Sequence, residues 1–356
     1  MKRYLILLLL CFSFFTPTNG RFTIVPYSSS GDALSWVNGT DTLVTFGWTF
    51  PVSLWNASVK GEPLNVIPDR WINGTRPSGY DRTFVDVDQN GTSAIVATST
   101  SDIFRWRFST QVVERLIVIN NTDVNAISLG DYVYVGTNQS AEILVYDMDA
   151  HALIERMAFG SSIWALDATN QGNLAIGFQN GTLSIRANNS WQAYQFENPI
   201  QKTKWNGDEL FVLEGKQLHI LTNNTLEDYS FPRQLLSVAP SDNGKMVAVG
   251  DDNGTVTILD RKGNVLKELL FPAGEFMPEI ISLDWNGNRL AIGKKTIGIP
   301  IVDTTTWQRI RTLGIDPDTD KYVIVESPPE PAPFPLLFFL SSFVAMIIFK
   351  KRKKVV

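Results

Sequence analysis

Seven times along the chain, a small polar turn with glycine at or beside its centre is followed by a short, nearly continuous apolar run. The turns are Asn38-Gly39-Thr40, Asn90-Gly91-Thr92, Leu129-Gly130-Asp131, Gln171-Gly172-Asn173, Asn206-Gly207-Asp208, Asn243-Gly244-Lys245 and Asn286-Gly287-Asn288. The runs behind them include Leu43-Val44-Thr45-Phe46, Tyr132-Val133-Tyr134-Val135, Leu210-Phe211-Val212-Leu213 and Met246-Val247-Ala248-Val249. Runs this short and continuous predict strands covered on both faces, as when sheets stack side by side. Successive glycines lie 52, 39, 42, 35, 37 and 43 residues apart. The mean, about 41, is the period of four-stranded β-propeller blades. The pattern predicts an all-β fold, a seven-bladed β-propeller over residues 21–325.

A second turn and a third strand follow, ending in pairs such as Trp55-Asn56, Tyr146-Asp147, Leu259-Asp260 and Val302-Asp303. With these degenerate Trp-Asp pairs the chain resembles the WD-repeat β-propeller family, with a looser similarity to quinoprotein-like propellers. The resemblance covers about residues 22–325. The chain departs from that family in lacking any Gly-His pair, its histidines being His151 and His219. The resemblance therefore implies the architecture, and no functional residue is carried over. Propellers close their ring by completing one blade with strands from both chain ends. Phe22-Thr23-Ile24-Val25 and Tyr322-Val323-Ile324-Val325 are the candidates. Asn253-Gly254, flanked by apolar runs, reads as a type I′ turn between the second and third strands of the sixth repeat.

Both ends of the chain point to a membrane. Lys2 and Arg3, the apolar stretch Leu5 to Phe15, and the small residues Thr18 and Gly20 have the layout of a signal peptide over residues 1–20. Cys11, the single cysteine, falls inside it, so the mature chain folds without disulfides. About 300 residues at 44% hydrophobic content can hold a core by packing alone. An exported protein without disulfides leans toward a prokaryotic, particularly archaeal, surface. Residues 326–335 form a Pro-rich spacer, and Leu336 to Phe349 reads as a single transmembrane helix. Its fourteen residues span about 21 Å against a hydrocarbon core of about 30 Å, a shortfall that snorkelling lysines offset. Lys350, Lys351, Arg352, Lys353 and Lys354 make residues 350–356 a basic cytoplasmic tail, with the propeller outside the cell membrane.

Spacer, apolar run and basic end, with Pro329-Glu330-Pro331, resemble the Pro-Glu-Pro type of prokaryotic sorting tail, which implies that the tail is processed. Alternatively, Lys353-Lys354-Val355-Val356 matches a dilysine retrieval signal, which would place the propeller in the lumen of the endoplasmic reticulum.

Export gives meaning to ten N-glycosylation triplets, at Asn38, Asn56, Asn73, Asn90, Asn120, Asn138, Asn180, Asn188, Asn223 and Asn253. The 24 Asn and 53 Ser or Thr of the chain would give about four by chance. Asn-Gly turns explain part of the excess. Their placement in strand-to-strand turns puts them on the rims, where sugar costs the fold little. None follows Asn253, so the last repeat is bare.

Signals for chemistry are sparse. Two isolated histidines and no mature cysteine offer no cluster for zinc or copper, and His219, in Leu218-His219-Ile220-Leu221, reads as structural. No Gly-x-Ser-x-Gly elbow and no Gly-rich phosphate loop occur. Asp316-Pro317-Asp318-Thr319-Asp320 lacks the Gly and distal Glu of an EF-hand loop and reads as a solvated linker. The sequence thus assigns no catalytic, cofactor or metal residue. The net charge of −5 offers no basic face for nucleic acid beyond the anchoring block. The long first interval carries Trp71 and Tyr80 on a candidate binding loop. Trp36, Trp48, Trp106, Trp164, Trp205 and Trp285 lie in or beside strands and read as core. The expected function is a binding or scaffold module for protein or surface polysaccharide. The alternative is a propeller enzyme, glycan-active or quinone-dependent, using carboxylates in the central channel.

Overall fold

A computed structural model describes residues 33–47, 50–58, 65–66, 83–88, 90–98, 103–110, 112–117, 124–188, 190–223, 225–271, 279–294, 298–316 and 321–325. They form seven antiparallel sheets, each built from consecutive strands. Blade 1 holds β1 (Ala33–Trp36), β2 (Thr42–Gly47), β3 (Phe50–Asn56) and β4 (Asn65–Val66). Blade 2 holds β5 (Thr83–Val87), β6 (Ser93–Thr98), β7 (Ile103–Arg107) and β8 (Val112–Ile117). Blade 3 holds β9 (Val124–Leu129), β10 (Val133–Thr137), β11 (Glu142–Asp147) and β12 (Ala152–Ala158). Blade 4 holds β13 (Ile163–Ala168), β14 (Leu174–Phe178), β15 (Thr182–Ala187) and β16 (Ser190–Gln195). Blade 5 holds β17 (Ile200–Asn206), β18 (Glu209–Glu214), β19 (Gln217–Thr222) and β20 (Thr225–Ser230). Blade 6 holds β21 (Leu235–Pro240), β22 (Met246–Asp251), β23 (Thr255–Asp260) and β24 (Val265–Leu270). Blade 7 holds β25 (Ile280–Asn286), β26 (Arg289–Lys294), β27 (Ile299–Asp303), β28 (Gln308–Asp316) and a fifth strand, β29 (Lys321–Val325).

The first strands of successive blades touch in cyclic order, with β25 returning to β1. They line the axis, and the fourth strands form the circumference. Burial follows: β10 and β14 are buried throughout, whereas β16 and β20 are mostly exposed. The apolar core is divided into seven clusters, one at each blade junction. The junction that joins the two ends of the ring packs Leu34, Trp36, Leu43 and Trp55 of blade 1 on Ala291, Ile299, Ile301 and Leu313 of blade 7. The continuous apolar runs are explained by this arrangement, since a middle strand has another blade on each face.

All seven glycine turns join the first to the second strand of a blade. The local chemistry differs from the expected type I′ pattern. At Asn253-Gly254 only the glycine has positive φ, +84°. The Asp251 carboxylate shapes this turn by accepting the N–H groups of Asn253 and Thr255 at 2.9 and 2.7 Å. The two-residue hairpins that do start with positive φ are those opened by Gly207, Gly215, Gly287, Asn188 and Asn223. The degenerate Trp-Asp pairs have a turn role too. The carboxylates of Asp147, Asp260 and Asp303 each accept two main-chain N–H groups of the following turn. Those bonds hold Asp147 below the usual carboxylate range, while Asp260 and Asp303 are held below it first by the side chains of Asn264 and Thr305 and then by the main-chain bonds.

Tyr322–Val325, one of the two expected closing segments, lies in β29, paired with β28 on the outer edge of blade 7; residues 22–25 lie outside the described residues. Trp36, Trp106 and Trp285 are buried and Trp164 and Trp205 half-buried, while Trp48 lies outside the described residues. The unit Glu326–Val356, with the expected spacer, helix and basic tail, also lies outside them. Among the described residues no helix is long and apolar enough to cross a membrane.

Three glycines in second strands mark close approaches between neighbouring blades. A β-carbon at Gly136 would stand 2.6 Å from Ile163 Cγ2, one at Gly250 would meet Ile280 Cγ2 and stand 2.6 Å from its Cβ, and one at Gly177 would meet Ile200 Cγ2 and stand 2.7 Å from its Cβ. Each of these isoleucines opens the next first strand. Gly177→Ala is expected to cost about 1–3 kcal/mol by overpacking, read as a lower denaturant midpoint. In an Ile200→Ala background the same change should cost less, since the nearer Cγ2 methyl it meets is gone and only Cβ stays. Equal costs in both backgrounds would contradict the close approach.

Candidate functional site

One position recurs along the first strands: Ser35, Asp86, Ser128, Asp167, Lys204, Ala239 and Asp284. At four junctions its side chain accepts the main-chain N–H of the following residue in the next blade's first strand. Leu129 donates to Asp86 Oδ2 at 2.8 Å, Ala168 to Ser128 Oγ at 2.9 Å, Trp205 to Asp167 Oδ2 at 2.5 Å and Trp36 to Asp284 Oδ2 at 2.6 Å. These bonds clip blades 2 to 3, 3 to 4, 4 to 5 and 7 to 1. At the blade 5–6 junction the receiving residue is Pro240, which has no N–H, and the residue facing it carries an ammonium, Lys204, in place of an acceptor.

Lys204 Nζ lies 3.8 Å from Asp167 Oδ1. Burial pushes the carboxyls of Asp167 and Asp284 up to about 6, against the pull of the Lys204 ammonium, with the Asp86 charge adding to the upward push. Lys204 is held above its ordinary value, first by Asp167 and then by Asp86 and Asp284, against its own burial. Three carboxylates thus act on one lysine near the axis, the convergence that enzyme chemistry would require. Each of the three also accepts a neighbouring blade's N–H through Oδ2, so the same carboxylates help to hold the ring. No group of three His, Cys, Asp or Glu side chains among the described residues could hold a metal.

His219 is held by carboxylates on both sides. Its Nδ1 lies 2.7 Å from Asp228 Oδ1, and its Nε2 lies 3.1 Å from Glu214 Oε2. Glu214 Oε1 accepts both the main-chain N–H and the side-chain amide of Asn198, at 2.5 and 2.6 Å. Asn198 lies on the connection from blade 4 to blade 5, so the histidine braces that connection.

The acceptor asparagines spread over the turns of both faces. Asn38 and Asn90 are exposed between first and second strands, and Asn180 and Asn253 are exposed between second and third. Asn188 and Asn223 are exposed at the tips of hairpins between third and fourth strands, with φ of +50° and +48°. Asn138 and Asn56 are half-buried, against the expectation of full exposure; Asn56 ends β3, and its Oδ1 accepts the Ser58 N–H at 3.0 Å. Asn73, Asn120, Trp71, Tyr80, Leu336, Phe349, Lys350, Lys351, Arg352, Lys353 and Lys354 lie outside the described residues.

Sequence reasoning missed two features. The clip residues were hidden because Ser, Asp, Lys and Ala share one position; the usable signal was an aspartate between two apolar residues just before a glycine turn, as in Leu166-Asp167-Ala168 and Leu283-Asp284-Trp285. The second feature is on the circumference. Every large hydrophobic side chain exposed among the described residues lies on a fourth strand: Val112, Leu153 and Ile154, Trp191, Leu226, Val265, Leu266 and Leu270, and Ile310.

No family model and no curated protein matches the sequence. The fold superimposes on a chain from the crystal structure of the mitotic checkpoint complex, a WD-repeat propeller, with a TM-score of 0.58. The two are 14% identical, over 85% of this chain and 90% of that one. The likeness is one of fold: this chain is a seven-bladed β-propeller.

The raised carboxyls give a pH signature. Asp167 and Asp284 bind protons more tightly folded than unfolded, so their contribution is fully present below the usual value of 3.8 and is lost as pH rises through about 6. Denaturant titrations of wild type and of Asp167→Asn/Asp284→Asn should therefore show wild type losing stability relative to the variant between those two pH values. Parallel profiles would refute the assignment.

Proposed function

We propose that this chain is an extracytoplasmic, membrane-anchored and glycosylated propeller that binds a protein partner on the circumference of blades 6 and 7. One observation carries the reading. Val265, Leu266 and Leu270 on β24 and Ile310 on β28 stand exposed, Val265 and Leu270 by 57% and 65%, on the arc that follows the last glycosylation triplet at Asn253. Exposed apolar side chains grouped on a rigid scaffold mark an interaction surface, and neither β24 nor blade 7 carries an acceptor triplet, the last one standing on the β22–β23 turn of blade 6.

Export and anchoring rest on the sequence: the leader at residues 1–20, the apolar run Leu336 to Phe349 and the cations behind it. Glycosylation is supported by the exposure of Asn38, Asn90, Asn180, Asn188, Asn223 and Asn253. Protein binding is in keeping with the fold's likeness to a chain that is part of a multiprotein complex. Surface polysaccharide is the other occupant that the arc could take. The enzyme reading would use the channel carboxylates, which are engaged in the blade-to-blade clips.

Two measurements on the chain purified from its native membrane test this. Intact-mass and glycopeptide spectra should give an N-terminus near Arg21 and sugar on turn asparagines; an unprocessed, sugar-free chain would overturn export. A photo-crosslinking residue at Leu266 should capture a protein, and Leu270→Glu should abolish the adduct without lowering the melting temperature. Capture of polysaccharide alone, or no adduct, would overturn the protein-binding assignment.

A further inference from the structure

Asn188 and Trp191 occupy one hairpin. Asn188 stands exposed at its tip, with left-handed φ, and opens the triplet Asn188-Asn189-Ser190. Two residues separate the paired Ala187 and Ser190, so Trp191 lies just beyond, on the second arm opposite Arg186. The Ser190 hydroxyl ties the arms together by donating to the Ala187 carbonyl at 2.9 Å.

Trp191 is 48% exposed, a large apolar surface left to water on a blade whose other aromatics are buried or half-buried. It is also braced. The Arg186 guanidinium lies 5.9 Å from its ring centre, and the Phe159 ring meets it at 6.3 Å and 64°. Arg186 is held in turn by the Tyr134 hydroxyl at 3.0 Å and by Glu155 at 4.0 Å, both in blade 3. A flat apolar plate is therefore fixed beside an attachment point, at most about 11 Å away along three Cα–Cα steps.

We propose that the sugar attached to Asn188 folds back and covers the exposed indole of Trp191, making this glycan part of the blade 3–4 surface. The proposal rests on the glycosylation reading above. A pyranose presents one face of C–H groups, and that face complements the electron-rich face of an indole. Covering the plate removes apolar area from water, while the hydroxyl edge of the sugar stays solvated. The left-handed Asn188 is already held at the tip, so little backbone ordering is added by the contact.

Blade 5 supplies a control within the same chain. Asn223 sits at the same hairpin position with φ of +48°, in the triplet Asn223-Asn224-Thr225. The residue that follows is Leu226, which is exposed and offers no ring.

The test uses the full chain from a host that glycosylates it. Glycopeptide spectra should show sugar on Asn188. Asn188→Asp, which removes the acceptor and keeps both the left-handed tip and the Ser190 hydroxyl tie, should lower the melting temperature by about 2 °C. Trp191→Ala should lower it by at least as much, since it also removes the Arg186 and Phe159 contacts. Adding Asn188→Asp to Trp191→Ala should lower it no further, and Trp191→Phe should retain the coupling. Enzymatic removal of the glycan should reproduce the Asn188→Asp shift in wild type and produce none in Trp191→Ala. Asn223→Asp and Leu226→Ala in blade 5 should be additive. Additive shifts in blade 4, or an unoccupied Asn188 on a chain carrying sugar elsewhere, would overturn this proposal and leave the glycosylation reading standing. Absence of sugar from the whole chain would overturn both.

Discussion

The ring depends on a side chain near the axis of one blade accepting the main-chain N–H of the next. A first strand has no room for a covalent tie to its neighbour, and its backbone donors would be buried unpaired without a partner, at a cost of about 1–3 kcal/mol each. Asp86, Ser128, Asp167 and Asp284 meet that need at four junctions. The charges this brings inward are balanced in part by Lys204, so the axis carries a small self-contained electrostatic system. Asp167 is buried, and the carboxyls of Asp167 and Asp284 are raised, features often read as catalytic. Here the same features follow from holding blades together.

Around that belt the apolar core is cut into layers, one per junction. Each blade's middle strands are shared between two layers, which explains why the sequence shows continuous apolar runs and why a single glycine, such as Gly177 against Ile200, governs how near two sheets come. The circumference has no further layer outside it. The exposed hydrophobics gather there for that reason, on the fourth strands of blades 2 to 7.

The blade count and the strand boundaries were legible in the sequence, because a turn between two buried strands needs a small polar residue that the period then repeats. The turn types were less so: Asn253 and Gly254 satisfy a hairpin pattern, yet Asp251 shapes the turn through its carboxylate. The clips were not legible, since three join residues 38 to 43 positions apart and the fourth residues 248 apart, and a strand aspartate reads as solvated until its neighbour is placed. The exposed positions of the fourth strands were hidden as well. Leu270 and Trp191 look like core in a linear pattern, and only the ring geometry leaves them without a covering blade.

Pro240 breaks the sequence of clips between blades 5 and 6. That junction relies on Asn206 to the Ser241 carbonyl at 3.0 Å, Arg261 to Glu209 at 2.5 Å, and the packing of Phe211, Leu213 and Val247. Among the described residues the ends of the ring are stitched more densely, by Trp36 to Asp284, Asn286 to the Thr40 carbonyl at 2.5 Å and the ion pair of Arg289 with Asp41. The two ends of the ring thus meet where polar bonds replace the missing covalent connection, while the chain runs uninterrupted through a junction whose clip Pro240 removes. A circular permutant opened between Phe231 and Gln234 would exchange those roles, asking the clipless junction to hold two free ends together.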